Sequence, residues 1–416
     1  MNGGRSELQI LMVTNVFAPL VGGTGAVAQA IAENLPRNVS IFTPRIRDGY
    51  AKKGEETAFD RQFGFRVFRG PELVRRVPLN IPRQLRAILH FGFNILVTQP
   101  AVLSSVRGVL RKNPVQVLCL NDLTASYWLA RPLKRKYPGL QVVFYLHGEE
   151  VNDGPKRLRT DLLAQKCMRE ADAVVVVSSF TRGRALKCGV APEKITVIHN
   201  GVDTGRFSPG PKNAEIEARF GLKGKLVILC LARLDERKGQ DKLLEAMPEI
   251  LRSVPEAVLL LVGGGDDEAR LRGIAADHGL EGKAIFAGPA TESEVVGYYR
   301  TADIYAMPNR PTAGGDTEGF GLVFLEAGAC EKPVIGGRAG GVVDAIIDGE
   351  TGYLVDGTSR AAVAGACIRV LEDPALRARL GQNGLAHAQR NTWAAKAGEF
   401  LRLCEGLRTT GRGGSS

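Results

Sequence analysis

The sequence predicts an α/β protein built from two Rossmann-like, doubly wound domains that face each other across a cleft. Three observations predict it. Strand-like and helix-like segments alternate through two successive runs. The strand segments are continuously apolar rather than alternating, as expected for parallel strands covered on both faces. A turn and linker near residue 200, Asn200-Gly201-Val202-Asp203 followed by Ser208-Pro209-Gly210-Pro211, separates the runs.

In the first run, residues 8–19 read as strand then loop, and Ala26–Leu35 as helix. Residues 38–44, 115–122, 141–147, 171–179 and 195–203 read as further strands that end in polar residues or turns. Residues 45–85 are Arg-rich and read as an irregular, mobile insert beside the cleft. In the second run, 225–234 is a strand, 241–255 a helix ending at a proline, and 256–265 a strand entering a Gly-rich loop. A helix closed by Gly279 follows, then strand 283–288, helix 292–302, strand 303–309, helix 319–330 and strand 332–337. The expected domains are 1–200 and 201–390, with a last helix at about 391–410 packing back on the first domain. The TTGRGGSS tail reads as disordered.

Composition narrows the class. No apolar stretch is long enough to cross a bilayer, and the N-terminus reads as a buried strand rather than a signal peptide. Seven scattered cysteines without a C-x-x-C pair suggest reduced, packed thiols in a cytoplasmic protein. The five dispersed histidines offer no metal-ligand spacing. Charge is uneven. The first 200 residues carry 29 Lys+Arg against 15 Asp+Glu, a net +14, and the rest carry 26 against 29. Such a basic half suits an anionic membrane surface, an anionic acceptor or nucleic acid. Nucleic acid is set aside because aromatic stacking motifs and zinc spacing are absent from the sequence.

The densest chemistry lies at Glu318-Gly319-Phe320-Gly321-Leu322, with Glu326 eight residues after Glu318. Glycines let a ligand approach the backbone, and a helix start aims free N–H groups at an anion. The carboxylates suit sugar and ribose hydroxyls. Taken singly, Glu326 is an ordinary helix glutamate and Glu318 an acid at a helix N-terminus. Arg233 and Lys238 follow a strand directly and suit a diphosphate, whereas Arg237 reads as solvated. Gly22-Gly23-Thr24-Gly25 follows the first strand without the full G-x-G-x-x-G pattern, and no acidic residue ends the second strand. Both facts argue against a nicotinamide or flavin cofactor. His147 ends a strand beside Gly148, with Glu149 and Glu150 next. A lone histidine is more often structural, and its place at a strand end raises the functional reading.

These residues resemble glycosyltransferase family 4, the retaining family with the GT-B fold. The resemblance covers nearly the whole chain. It is carried by N-G-V-D at 200–203, R-x4-K-G from Arg233, VGGG at 262–265, and A-D-I-Y-A-M-P at 302–308. It continues through E-G-F-G…E at 318–326 and Gly340-Gly341 with Asp344. The first-domain match, in the glycine loop, His147-Gly148 and VSSFTR at 177–182, is looser. The resemblance implies that Arg233 and Lys238 bind the donor diphosphate, Glu326 the ribose, and Glu318 the transferred sugar. Backbone amides of Phe320 to Leu322, beside Gly319 and Gly321, would meet sugar and phosphates. Gly263 and Gly264 would line the donor site, Gly22 and Gly23 would close over the diphosphate, and His147 would hydrogen-bond the sugar. It implies no metal and no other cofactor.

Within the family, R-K-G-Q-D at 237–241 and the segment from Ala306 to Gly319 are similar to bacterial mannosyltransferases acting on phosphatidylinositol mannosides. That implies GDP-mannose as donor and a lipid-linked or glycan acceptor, with the protein peripheral on the cytoplasmic membrane face. Arg75, Arg76, Arg83, Arg86 and Lys134-Arg135-Lys136 are candidates for lipid headgroup contact. A UDP-sugar-dependent glucosyl- or N-acetylglucosaminyltransferase and a GT-B nucleotide-sugar epimerase stand as alternatives.

Overall fold

A computed structural model describes residues 7–19, 23–46, 59–74, 89–148 and 158–410. Two parallel sheets organise them. The first orders its strands β3-β2-β1-β4-β5-β6-β7. These are β1 (Ile10–Val13), β2 (Val39–Pro44), β3 (Arg66–Gly70), β4 (Val117–Leu120), β5 (Gln141–Leu146), β6 (Ala173–Val176) and β7 (Ile195–Val197). The second orders its strands β10-β9-β8-β11-β12-β13. They are β8 (Leu226–Leu231), β9 (Ala257–Val262), β10 (Ala284–Gly288), β11 (Ile304–Met307), β12 (Val334–Gly337) and β13 (Gly352–Val355).

The continuous apolar runs have a direct explanation. Along β1, Ile10 and Met12 enter one hydrophobic cluster while Leu11 and Val13 enter another. Val117 and Cys119 of β4 alternate with Leu118 and Leu120 in the same way. These two strands are buried on both faces, so polar residues at alternate positions would have no water to face.

Three helices bear on how the lobes are joined: α1 (Gly23–Asn34) and α2 (Gln99–Lys112), both on the first lobe, and α9 (Trp393–Thr410) at the end of the described chain. Helices α1 and α2 cover opposite faces of the first sheet, Val27 and Ile31 in one cluster, Val102 and Val106 in the other. Helix α9 starts beside the second lobe and crosses to the first, where Phe400 packs 5.8 Å from the Tyr145 ring. The chain therefore passes between lobes twice, and the two passages lie side by side. The Val202 amide donates to the Asn391 carbonyl (2.9 Å) and the Trp393 amide to the Val202 carbonyl (3.3 Å). Gly201 is needed there, because a Cβ would sit 2.7 Å from the Trp393 nitrogen.

Residues 45–85 depart from the irregular insert the sequence predicts. Arg66–Gly70 forms β3, in parallel register with β2 at the sheet edge. Its RVFRG sequence is exposed at the start and buried only at Gly70, so it carries no continuous apolar signal. Residues 47–58 and 75–88 lie outside the described residues.

Candidate active site

Strand order sets where a ligand can sit. The first sheet reverses direction of growth between β1 and β4, the second between β8 and β11. Chain segments leave such neighbours to opposite sides, opening a crevice at the strands' carboxyl ends. In the second lobe, Arg233 to Lys238 follow β8, and Glu318 lies in the segment after β11.

Several devices shape the β8 loop. Asp235 caps a short 3-10 turn by accepting from the Arg237 amide at 2.9 Å. The turn ends at Gly239, whose φ is +76° and where a Cβ would lie 2.1 Å from the Pro308 carbonyl oxygen. Gln240, in α5 (Gln240–Ser253), donates to the Arg233 carbonyl at 2.9 Å. Gly263 and Gly264 follow β9 and pack on the same loop. A Cβ on Gly263 would meet the Ala232 oxygen at 2.0 Å, and the Gly264 carbonyl accepts from the Leu234 amide at 3.0 Å. Their visible work is to let two backbones touch.

Lys238 Nζ lies 2.5 Å from Glu318 Oε2, with both side chains 14% exposed. Burial opposes ionisation of Glu318. Lys238, then Arg237 and Arg233, outweigh it and hold the carboxyl below its ordinary pKa. Arg237 corrects the sequence reading: it is not a solvated charge but only 4% exposed. Its Nη1 donates to the Thr317 carbonyl at 3.0 Å and lies 3.7 Å from Glu318 Oε2. Arg233 is the exposed partner, at 64%, 3.3 Å from Asp235. The segment after β11 is further anchored by a buried fork, Arg310 to Asp241, at 2.7 and 2.8 Å.

The structure places Glu318 outside any helix. Helix α7 (Leu322–Ala329) begins four residues later, capped by Gly321 at φ +92° with no side-chain hydrogen bond. Its first turn thus has no side-chain cap, although the Phe324 amide donates to the Gly321 carbonyl at 3.1 Å. Glu326 sits on α7 and accepts from the buried Tyr299 hydroxyl at 2.7 Å. Burial raises its pKa, the Tyr299 hydrogen bond and Arg206 acting the other way. Glu318 and Glu326 both act electrostatically on buried Tyr305, whose hydroxyl donates to the Leu231 carbonyl at 3.2 Å.

The upper lobe meets this loop backbone to backbone. A Cβ on Gly148 would come 2.7 Å from the Gly319 Cα, and one on Gly319 would come 1.9 Å from the His147 carbonyl oxygen. Phe320 is buried 5.6 Å from the His199 ring. His147 directly follows β5, its ring stacked 5.2 Å from Tyr145 at 12°. Burial pushes its pKa down to about 4, the Asn121 backbone pulling weakly the other way. Its Nε2 lies 3.1 Å from Asn121 Oδ1. Gly23 begins α1 with open space where a Cβ would be. Gly22, Glu149, Glu150, Arg75, Arg76, Arg83 and Arg86 lie outside the described residues.

Sequence reasoning passed over two contacts. Asn121 directly follows β4, and its Oδ1 lies 3.1 Å from His147 Nε2. Ser179, at the start of α4 (Ser179–Lys187), donates through its amide and hydroxyl to Asp344 at 2.6 to 2.9 Å. The looser VSSFTR match and the Gly340-Gly341…Asp344 element thus form one interlobe latch. Of the basic cluster, Lys134 is paired with Asp172 at 2.5 Å, while Arg135 and Lys136 are exposed.

Two parallel-sheet lobes that meet at their carboxyl-end crevices, with cations and acids gathered there, define a glycosyltransferase of the GT-B class. Residues 21–206 match the family model described as Glycosyltransferase Family 4, and 212–387 match Glycosyl transferases group 1. A GDP-mannose-dependent alpha-(1-6)-phosphatidylinositol monomannoside mannosyltransferase of Mycolicibacterium smegmatis is 31% identical, over 96% of this chain and 99% of that one. A monoacylated alpha-(1-6)-phosphatidylinositol monomannoside mannosyltransferase of Corynebacterium glutamicum, also GDP-mannose-dependent, is 29% identical over 91% and 93%. Among solved structures, a sucrose-phosphate synthase from Thermosynechococcus elongatus superposes with a TM-score of 0.75 at 24% identity, covering 97% of this chain and 100% of that one. Anabaena HepE in complex with UDP and glucose gives 0.74 at 19%, covering 95% and 99%. The chain belongs to glycosyltransferase family 4. It is a hexosyltransferase that uses a nucleotide-sugar donor.

Proposed function

We propose that the enzyme moves mannose from GDP-mannose, with retention of configuration, to a hydroxyl of an inositol-phospholipid-type glycolipid at an anionic membrane surface. The observation that carries the donor half is the Lys238–Glu318 pair beside the uncapped start of α7. An ammonium has three protons, and Glu318 takes one, so others remain for a phosphate oxygen. Arg233 adds a second cation from the same loop. Glu326, held by Tyr299, suits ribose hydroxyls, and Glu318 the hexose. Glycine backbone at Gly319 and Gly321 lets amides of Phe320 to Leu322 approach sugar and phosphate. Gly22 and Gly23 close from the opposite lobe, and His147 hydrogen-bonds the sugar.

In the reaction the bond from C1 to the diphosphate oxygen breaks, and the acceptor oxygen bonds C1 on the same face. The acceptor proton passes to the departing phosphate oxygen. Arg233, Lys238 and the α7 amides stabilise the charge on the leaving diphosphate, without a metal or other cofactor.

Two features support a lipid surface. The first 200 residues carry the +14 charge. Residues 89–112 form one helix, broken in pattern by a π segment at Asn94–Thr98, and its first turns expose Leu89, Phe91, Ile95, Leu96 and Val97. A soluble surface seldom gathers so many exposed apolar side chains. The helix runs back to the start of β4, so this apolar end lies toward the strands' carboxyl ends, where acceptor must enter. No helix among the described residues is long and apolar enough to cross a membrane.

A thermal-shift panel of sugar nucleotides, followed by transfer assays on inositol glycolipids in vesicles, tests the reading. A ligand at about 100 times its Kd adds roughly 2.7 kcal/mol. Stabilisation by UDP-sugars and none by GDP-mannose would replace the donor. Donor conversion without acceptor would indicate an epimerase.

A further inference from the structure

The first lobe carries a cavity of about 590 Å³ lined by Arg107, Arg131, Pro132, Arg135 and Lys136. Four of these five residues are cations and none is an acid. The cavity lies between α2 and α3 (Ala130–Lys136), which cover the same face of the first sheet. Val102 and Val106 of α2 share a hydrophobic cluster with Ala130 and Leu133 of α3. Helix α2 leads into the start of β4 and α3 into the start of β5. Arg135 and Lys136, in the last turn of α3, therefore lie toward the amino ends of the strands, whereas the donor crevice is at the carboxyl ends. The four cations are unequally satisfied. Arg131 makes a fork on Glu170 at 2.7 and 2.6 Å, which uses only part of its five N–H donors. Arg107, Arg135 and Lys136 make no hydrogen bond or ion pair among the described residues. The Arg107 Nε is moreover buried without an acceptor. Such a donor costs its full desolvation, and native proteins seldom leave one unmatched. The helix dipole accounts for Arg135 and Lys136 at the end of α3. It does not account for Arg107, which sits in the interior of α2 and lines the same cavity.

We infer that this cavity binds a phosphate-class oxyanion, at a second anion site remote from the donor crevice. Cations gathered round one cavity repel each other until an anion enters it. The guanidinium groups of Arg107 and Arg135 match phosphate oxygens in pairs, and Lys136 adds a compact charge. Arg131, oriented by Glu170, supplies its remaining N–H groups. A multiply charged phosphate fits better than a carboxylate, because three of the cations have no counter-charge. The phosphate belongs either to a soluble phosphate ester or to a lipid headgroup, and both present the same oxygens. The site does not rest on the proposed donor or acceptor.

Thermal melts of the full chain in rising inorganic phosphate, with ionic strength held constant by chloride, read the binding without any turnover. Phosphate also suits the donor crevice, so the titration is run both in wild type and in Arg233→Ala with Lys238→Ala, which removes the cations of the donor loop. A saturable rise in melting temperature is expected in both. Arg107→Gln should weaken the apparent phosphate affinity about tenfold in either background, the scale of one charge-assisted hydrogen bond. Arg135→Gln with Lys136→Gln changes only exposed side chains, leaves folding intact and should weaken it at least as much. A phosphate response that vanishes with the donor-loop cations would overturn the site, as would an affinity that neither Arg107→Gln nor the Arg135, Lys136 double variant changes. Sedimentation with phosphatidylcholine vesicles carrying phosphatidic acid then separates the two sources. Reduced sedimentation of Arg107→Gln assigns the site to a lipid headgroup. Unchanged sedimentation beside a weakened phosphate response assigns it to a soluble phosphate ester.

Discussion

Lys238 and Glu318 come within 2.5 Å of each other although 80 residues separate them in the chain. The pair joins the loop after β8 to the segment after β11, the two neighbours that flank the switch point of the second sheet. Replacing Lys238 with Ala should lower kcat/KM by a factor of about 100 or more, the scale for removing one preorganised charge partner of a leaving group. Steady-state transfer assays measure it, and near-normal turnover would remove Lys238 from the donor site.

The pair also predicts acid sensitivity. The folded state holds the Glu318 carboxyl below its ordinary pKa. Its contribution to stability is therefore complete above the unfolded glutamate value and is lost as pH falls through the depressed folded value. Denaturant melts from about pH 6 to about pH 3 should show wild type losing stability at the acid end. Glu318→Gln should flatten that dependence, and an unchanged slope would contradict the electrostatic account.

Arg237 differs from its neighbour Arg233 in what its loss should do. Removing one partner of a buried, hydrogen-bonded charge set costs about 3–5 kcal/mol. Arg237→Ala should show a destabilisation of that order in equilibrium unfolding, because the buried Thr317 carbonyl loses its donor and Glu318 loses one of its two close cations. Arg233→Ala, exposed, should leave stability within about 0.5 kcal/mol and act on donor turnover instead. Equal effects of the two on stability would refute the distinction.

Tyr299 should set donor affinity through Glu326. Its hydroxyl favours the ionised carboxylate, while burial disfavours it. Tyr299→Phe should raise the Glu326 pKa further and raise donor KM several-fold. Because an acid with a raised pKa is protonated sooner as pH falls, the KM increase should begin at higher pH in the variant than in wild type. A pH series of donor KM is the measurement.

The Ser179–Asp344 latch spans 165 residues and both lobes. Asp344→Ala should let the lobes separate, enlarging the radius of gyration by small-angle scattering without changing thermal stability greatly. Ser179→Ala on top of it should add nothing. On the membrane side, Phe91→Glu with Leu96→Glu should cut sedimentation with anionic vesicles while sparing hydrolysis of the soluble donor. Undiminished vesicle binding would leave the apolar helix end without that role.

Much of the fold was legible because parallel strands covered on both faces must be apolar at every position, a signal held within six or so residues. β1, β4, β5, β6, β8, β9 and β11 carry it. β3 does not, since an edge strand with half-exposed arginines lacks the run, and its pairing with β2 is a long-range fact. Charge or glycine directly after a strand is readable in the sequence, as at Arg233 and Lys238 after β8 and at His147-Gly148 after β5.

The amino-acid order alone determined the two-lobe α/β architecture, the positions of the strand ends and the chemical inventory available there. Only the tertiary structure decided which of those groups are buried and what they face. Arg233 and Arg237 are the same residue four positions apart, yet one is solvated and the other closes on Thr317 and Glu318. Asn121 reads as a strand terminus until His147 and Thr24 are brought to it. The physical reason is that a side chain's desolvation, charge state and tautomer are set by neighbours within a few ångströms, and in a parallel sheet those neighbours arrive from strands tens of residues away.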